Sequence, residues 1–144
     1  MQRFDDGGMA VRALAAVGLA ALLTIGGCAS LAPGIGKDSP PEEKQKVVAN
    51  RAVARWEALI KGDLDTAYTF LSAGSRAAYP LDLYKRRIKP GLWRAVRSEK
   101  VACEAELCKV DLMVTIDAKR MKGLEVPLTE TWIIEDGNAW FVYR

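Results

Sequence analysis

The sequence predicts an α+β domain, with helices first and an antiparallel sheet of about four strands after them. Three observations carry this. Apolar residues between Val48 and Leu71 recur at intervals of three and four, the helical spacing. From Val110 onward they alternate with polar residues at the strand period of two. Pro80, Pro90 and Gly91 interrupt the chain between the two patterns. Helices followed by antiparallel strands is an α+β order.

The first helix opens at Ser39, a capping residue. Pro40 suits the first helical position, and Glu42 stands at the capping-box spacing. Val48, Ala52, Trp56 and Leu59 form its apolar face, and Gly62 stops it. Asp63 caps a second helix with Leu64, Ala67, Tyr68 and Leu71 on one face, ending at Gly74. Shorter helical pieces are expected over 75–79 and 81–88, broken by Pro80. Residues 93–103 supply a less regular first strand. Val110, Leu112, Val114 and Ile116 then share one face of a second strand. Val126, Leu128, Glu130, Trp132 and Ile134 share one face of a third. Asp136-Gly137-Asn138 signals a hairpin, and residues 139–143 form the last strand.

The stretch Trp56-Glu57-Ala58-Leu59-Ile60-Lys61-Gly62-Asp63-Leu64-Asp65-Thr66-Ala67-Tyr68 resembles the NTF2-like (SnoaL-like) superfamily of cone-shaped domains. So do Glu130-Thr131-Trp132, Gly137 and Trp140-Phe141-Val142-Tyr143 at the end of the chain. The resemblance covers about Lys44 to Arg144. It implies helices packed on a curved sheet of about four strands. In enzymes of the superfamily it implies an Asp working with His or Tyr inside the cone.

The N-terminus reads as an address. Ala13 to Ile25 is an uncharged run of thirteen residues, shorter than the about 20 of a membrane-spanning helix but the length of a signal-peptide core. Arg12 precedes it, and Ile25-Gly26-Gly27-Cys28 follows. These residues resemble a bacterial lipobox, which implies removal of residues 1–27 and acylation of Cys28. An ordinary secretory leader with a chance cysteine is the alternative. Asp5 and Asp6 spoil the positive start of the leader, whereas Met9 begins a cleaner one, so initiation at Met9 is expected. Two or three acyl chains would hold the protein on a bilayer, since each buried CH₂ contributes about 0.8 kcal/mol. No Asp follows Cys28, which favours the outer membrane and the periplasmic side over inner-membrane retention. The expected organisation is leader 1–27, acylated flexible tether 28–41 and domain 42–144. The tether carries Pro33, Gly34, Gly36, Pro40 and Pro41 and reaches about 20 Å.

The chemistry is bounded by composition. The 144 residues hold no histidine, which removes Ser-His-Asp catalysis, His-ligated metals and histidine pH switches. A net charge of +3, from 21 basic and 18 acidic residues, gives no case for nucleic acid. No metal or cofactor is expected. Asp63 and Asp65 are a carboxylate pair but read more simply as a helix cap and a first-turn acid. Glu130 is a weak catalytic candidate, because it sits on an apolar strand face where its pKa would be raised unless a cation pairs it. Trp56, Tyr68, Tyr84, Trp93, Trp132 and Tyr143 either line a pocket for an apolar ligand or fill the core. Lys85, Arg86, Arg87, Lys89, Arg94, Arg97 and Lys100 form a basic cluster suited to anionic head groups, or simply a solvated face.

The chain has three cysteines. With Cys28 acylated, Cys103 and Cys108 remain, separated by a hairpin-length Glu104-Ala105-Glu106-Leu107, and a disulfide is expected in the oxidising periplasm. The expected role is a non-enzymatic binding or envelope-assembly module with an envelope protein partner. The alternative is a small cone enzyme or a carrier of an apolar ligand.

Overall fold

A computed structural model describes residues 34–144. The leader, Met9 and Cys28 lie outside the described residues. Four helices precede four strands: α1 (Pro41–Lys61), α2 (Leu64–Thr69), α3 (Ala73–Ala78) and α4 (Leu81–Arg87), then β1 (Trp93–Glu104), β2 (Leu107–Ala118), β3 (Met121–Glu135) and β4 (Asn138–Phe141). The strands form one antiparallel sheet in the order β1-β2-β3-β4.

Helix α1 packs mainly against β1 and turns Val48, Ala52, Trp56 and Leu59 into the core. Gly62 ends it in the left-handed region at φ 75°. Its N–H reaches the Ala58 and Leu59 carbonyls, and the Asp63 N–H also returns to the Ala58 carbonyl, a Schellman closure that needs the glycine. Asp63 then caps α2 by accepting the Thr66 N–H at 3.0 Å.

The helix start differs from the sequence expectation. Pro40 is the cap position, one residue outside the helix, and no side chain caps it. The Ser39 hydroxyl instead accepts the Gly36 N–H at 3.0 Å, so the Ser39–Glu42 box does not form. The end of the expected tether is also built into the domain. Ile35 is buried with the core, and Gly34 lies against Gly137 so closely that a Cβ there would collide with the Gly137 carbonyl. Lys44 is buried at the same end and donates from Nζ to the Lys37 carbonyl at 2.8 Å and the Ala105 carbonyl at 3.0 Å.

Gly74 lies inside α3 and does not end the second helix. The cause is Leu71, which leaves the helix to bridge Phe141. Phe70 accepts the Phe141 N–H and Ser72 donates to the Phe141 carbonyl, each at 2.8 Å, so these residues cover the open edge of β4. Ser72 then starts α3 afresh, accepting the Ser75 N–H at 3.2 Å.

Every second residue of β2 and β3 faces the helices. Cys108, Val110, Leu112 and Val114 meet Glu130, Trp132 and Ile134 in that layer. The β3–β4 turn uses Asp136 (φ 49°) and Gly137 (φ 77°), the paired positive φ values of a type I′ hairpin. The β1–β2 connection is tighter than the sequence suggested. Glu104 and Leu107 are themselves paired, which leaves a two-residue turn. Cys103 faces Cys108 one pair further in, with an S–S distance of 2.07 Å and Cα atoms 4.0 Å apart.

Candidate functional site

The only carboxylate buried in the inner layer of the sheet among the described residues is Glu130. Strand alternation puts it between Leu128 and Trp132, facing α1. Two consecutive residues of α1 meet it. Arg55 donates from Nη1 and Trp56 from Nε1, both to Glu130 Oε1 at 2.7 Å. Trp132 donates from Nε1 to Oε2 at 2.9 Å. Glu130 therefore accepts three N–H groups, one of them cationic, at 6% exposure. Such charge-assisted bonds hold a carboxylate as a fixed acceptor. A general acid or base must reach the proton of a reacting group, and this carboxylate is enclosed by its own donors. Its geometry is that of a counter-ion.

Arg55 is 3% exposed, and its guanidinium lies 3.7 Å from the Phe141 ring centroid. Among the described residues, two buried atoms here have no hydrogen-bond partner, Arg55 Nε and Tyr84 Oη. Burial pushes the Tyr84 hydroxyl pKa up, and the neighbouring Arg55 charge opposes that shift.

The six aromatic candidates fall into two groups of ring contacts, Trp56 with Trp93 and the others joined through Phe141 and Tyr143. Trp56 meets Trp93 edge-on at 5.4 Å. Tyr84 meets Tyr68 at 5.4 Å and Tyr143 at 5.3 Å. Trp132 meets Phe141 at 5.7 Å. Rings at these separations are packed on one another and leave no room for a ligand between them. The concavities lie elsewhere. A shallow groove of about 440 Å³ runs between α3 and β3 past Ser75, Thr131, Ile133 and Tyr143. Smaller ones, of about 310 Å³ and 120 Å³, lie beside Lys61 and Arg94 and beside Ala102 and Leu107. Tyr143 is the one aromatic candidate that lines any of these three.

Asp63 and Asp65 do not converge. Asp63 caps α2, and the hydrogen bond from Thr66 holds its carboxyl below the ordinary carboxylate value. Asp65 pairs with Lys85 at 2.7 Å on the surface. Among the described residues, no three Cys, Asp or Glu side chains gather as metal ligands would.

The basic cluster is spread along α4 and β1 and is partly neutralised. Besides Lys85, Arg94 pairs with Asp117 at 2.9 Å, and Arg97 pairs with Glu99 at 2.5 Å and with Glu125. The Glu125 hydrogen bond, then Glu99, raises the Arg97 pKa further, and Glu125 is lowered in return. The Arg87 guanidinium sits 4.9 Å from the Tyr79 ring centroid. Arg86, Lys89 and Lys100 are exposed and make no ion pair among the described residues.

Arg55 was missed by sequence reading, although a signal was present. It stands three residues after Ala52 and four before Leu59, on the apolar face of α1. Lys44 occupies the same face, four residues before Val48.

No family model matches the sequence, and no curated protein matches it. Solved structures do match. A SEC-C motif containing protein from Rhodopseudomonas palustris superposes with a TM-score of 0.52 at 13% identity, covering 65% of this chain and 73% of that one. A putative NTF2-like transpeptidase from Campylobacter jejuni gives 0.51 at 9% identity, covering 66% of this chain and 96% of that one. At such identities the likeness speaks to fold alone, and the fold of this chain is NTF2-like: a few helices packed on an open antiparallel sheet of four strands.

Proposed function

We propose that this chain is a lipid-anchored, periplasm-facing envelope protein whose NTF2-like domain binds or assembles through its surface and performs no chemistry inside the cone. The observation that carries the second half is the closed core. Glu130 is consumed by Arg55, Trp56 and Trp132, and the aromatic candidates pack on one another. The first half rests on Ile25-Gly26-Gly27-Cys28 after an uncharged core. Gly34 is six residues beyond Cys28 (34 − 28), so the described domain begins within roughly 20 Å of an acylated cysteine. The Cys103–Cys108 bridge belongs to the same reading, because the periplasm is oxidising.

Growing cells on an alkyne fatty acid tests the anchor. The wild-type chain should take up label and partition into detergent, and Cys28→Ser should do neither. Equal labelling of both forms would overturn it. One observation favours the alternative, a carrier, provided its apolar ligand bears a polar group: among the described residues Arg55 Nε and Tyr84 Oη lack partners beside the core. A thermal-shift screen of apolar small molecules separates the two. Stabilisation that disappears in Tyr84→Phe would establish the carrier.

A further inference from the structure

We infer that the end of the domain carrying the β2–β3 hairpin is a docking surface for an anionic lipid bilayer. The chain exposes four large hydrophobic side chains among the described residues, and three of them are here. Leu92 is 54% exposed, Met121 56% and Leu124 39%. The backbone places all three at one end of the sheet: the Leu92 carbonyl accepts the Asp117 N–H at 2.8 Å, Met121 pairs with Ala118 and Leu124 with Ile116. Cations surround them. Lys119, Arg120 and Lys122 lie on the hairpin tip and Lys89 lies just before Leu92. All four are exposed and make no ion pair among the described residues.

The local acids are already engaged. Asp117 accepts the Gly123 N–H at 2.9 Å and pairs with Arg94, and Glu125 pairs with Arg97. The surface therefore presents aliphatic groups beside positive charge that is unpaired among the described residues. That is the composition of an interfacial membrane contact, with apolar groups entering the head-group boundary and Lys or Arg meeting anionic lipid. A hairpin tip is also convex, which suits a deformable bilayer.

The opposite end has the other sign. Glu104, Glu106, Glu135 and Asp136 are exposed around the two hairpin turns there, beside Gly34. From Met121 to Glu135 the β3 strand covers fourteen steps (135 − 121), about 46 Å at 3.3 Å each. The domain is thus polarised along its length. The basic end meets the bilayer by itself, with no requirement for an acyl chain, and the acidic end stays away from it. This surface overlaps the cluster expected at 85–100 at Lys89 and the neutralised Arg94, but its unpaired charge at the hairpin tip, Lys119, Arg120 and Lys122, lies outside that cluster.

The test uses the full chain with Cys28→Ser, so that no acyl group contributes, and a polarity-sensitive fluorophore on Met121→Cys. The probe is vesicles of phosphatidylglycerol and phosphatidylcholine in equal parts, against phosphatidylcholine alone. Residue 121 should shift to the blue with the anionic vesicles and not with the neutral ones, and high salt should reverse the shift. A label on Glu135→Cys should stay unshifted. Reversing Lys119, Arg120 and Lys122 to Glu should weaken vesicle binding on the order of 100-fold, at about fivefold or more for each charge removed, with the melting temperature unchanged. Equal shifts at 121 and 135, no shift at 121, or a shift that grows with protein concentration without vesicles would overturn the proposal. The last result would point to a protein partner. Fatty-acid labelling of Cys28 is read separately, so the anchor and this surface stand or fall apart.

Discussion

Replacing Glu130 with alanine removes the acceptor for three donors at once. Arg55 and Glu130 are 2.7 Å apart with side chains 4% and 5% exposed, so water screens neither partner. Breaking such a pair from one side costs about 3–5 kcal/mol, because a buried charge is left behind. The Trp56 and Trp132 indoles also lose their acceptor, each by itself a cost of about 1–3 kcal/mol that overlaps with the first. A loss near 4 kcal/mol is a large part of the about 5–15 kcal/mol that holds a small domain together. It should lower the melting temperature by about 15 °C at roughly 4 °C per kcal/mol. Urea titration followed by tryptophan fluorescence reads the loss directly. Glu130→Leu combined with Arg55→Met should recover the part due to the stranded Arg55 charge, since a buried ion pair is often replaceable by apolar side chains of similar volume, while the two indoles stay without their acceptor. A loss under about 1 kcal/mol for Glu130→Ala would refute the counter-ion role. A double variant as unstable as the single would show that the pair itself is not the cause.

Trp56 sits on the face of α1 that meets the sheet, 7% exposed, edge-on to Trp93, so Trp56→Ala should cost about 3–5 kcal/mol by urea titration. A loss below about 1 kcal/mol would mean the side chain is not core. Thiol titration of the denatured, unreduced mature protein should find no free cysteine. Reduction should cost about 2 kcal/mol, since the closed loop is short; two reactive thiols before reduction would contradict the bridge. The Asp63 carboxyl is held below its ordinary value of 3.8, so its contribution is present above that value and lost as pH falls through the lower folded value. Asp63→Ala should therefore flatten the acid limb of stability against pH, and an unchanged limb would contradict the cap. Gly34→Ala should expel the 34–36 segment, because its Cβ meets backbone at Gly137, and should speed cleavage there by a nonspecific protease. Unchanged cleavage would show that the contact is dispensable.

The legible parts of the fold were those set by local patterns. Glycine at 62, the alternation in β2 and β3, the Asp136-Gly137 turn and the facing cysteines each follow from a few neighbouring residues. The inward position of Glu130 was legible in the same way. Its partner was not, because Arg55 is 75 residues away and a charged residue on a helix is ordinarily solvated. Lys44 escaped notice for the same reason, its acceptors being backbone carbonyls that only the tertiary fold brings near. The helix at Gly74 was misplaced because the pairing of Leu71 with Phe141 overrides the local stop signal. The hairpin tip was invisible because Leu92, Met121 and Leu124 reach one end of the sheet only when β1, β2 and β3 pair in this register.

Hydrogen exchange at the indole N–H groups of the four tryptophans tests the closed core most directly. Trp56 and Trp132, bonded to Glu130 inside the domain, should exchange far more slowly than Trp140, whose indole bonds the Glu135 carbonyl at the surface. Their signals should also stay in place when apolar small molecules are added. Fast exchange at Trp56 and Trp132, or ligand-induced shifts at both, would contradict a filled cone and return the function of the domain to its interior.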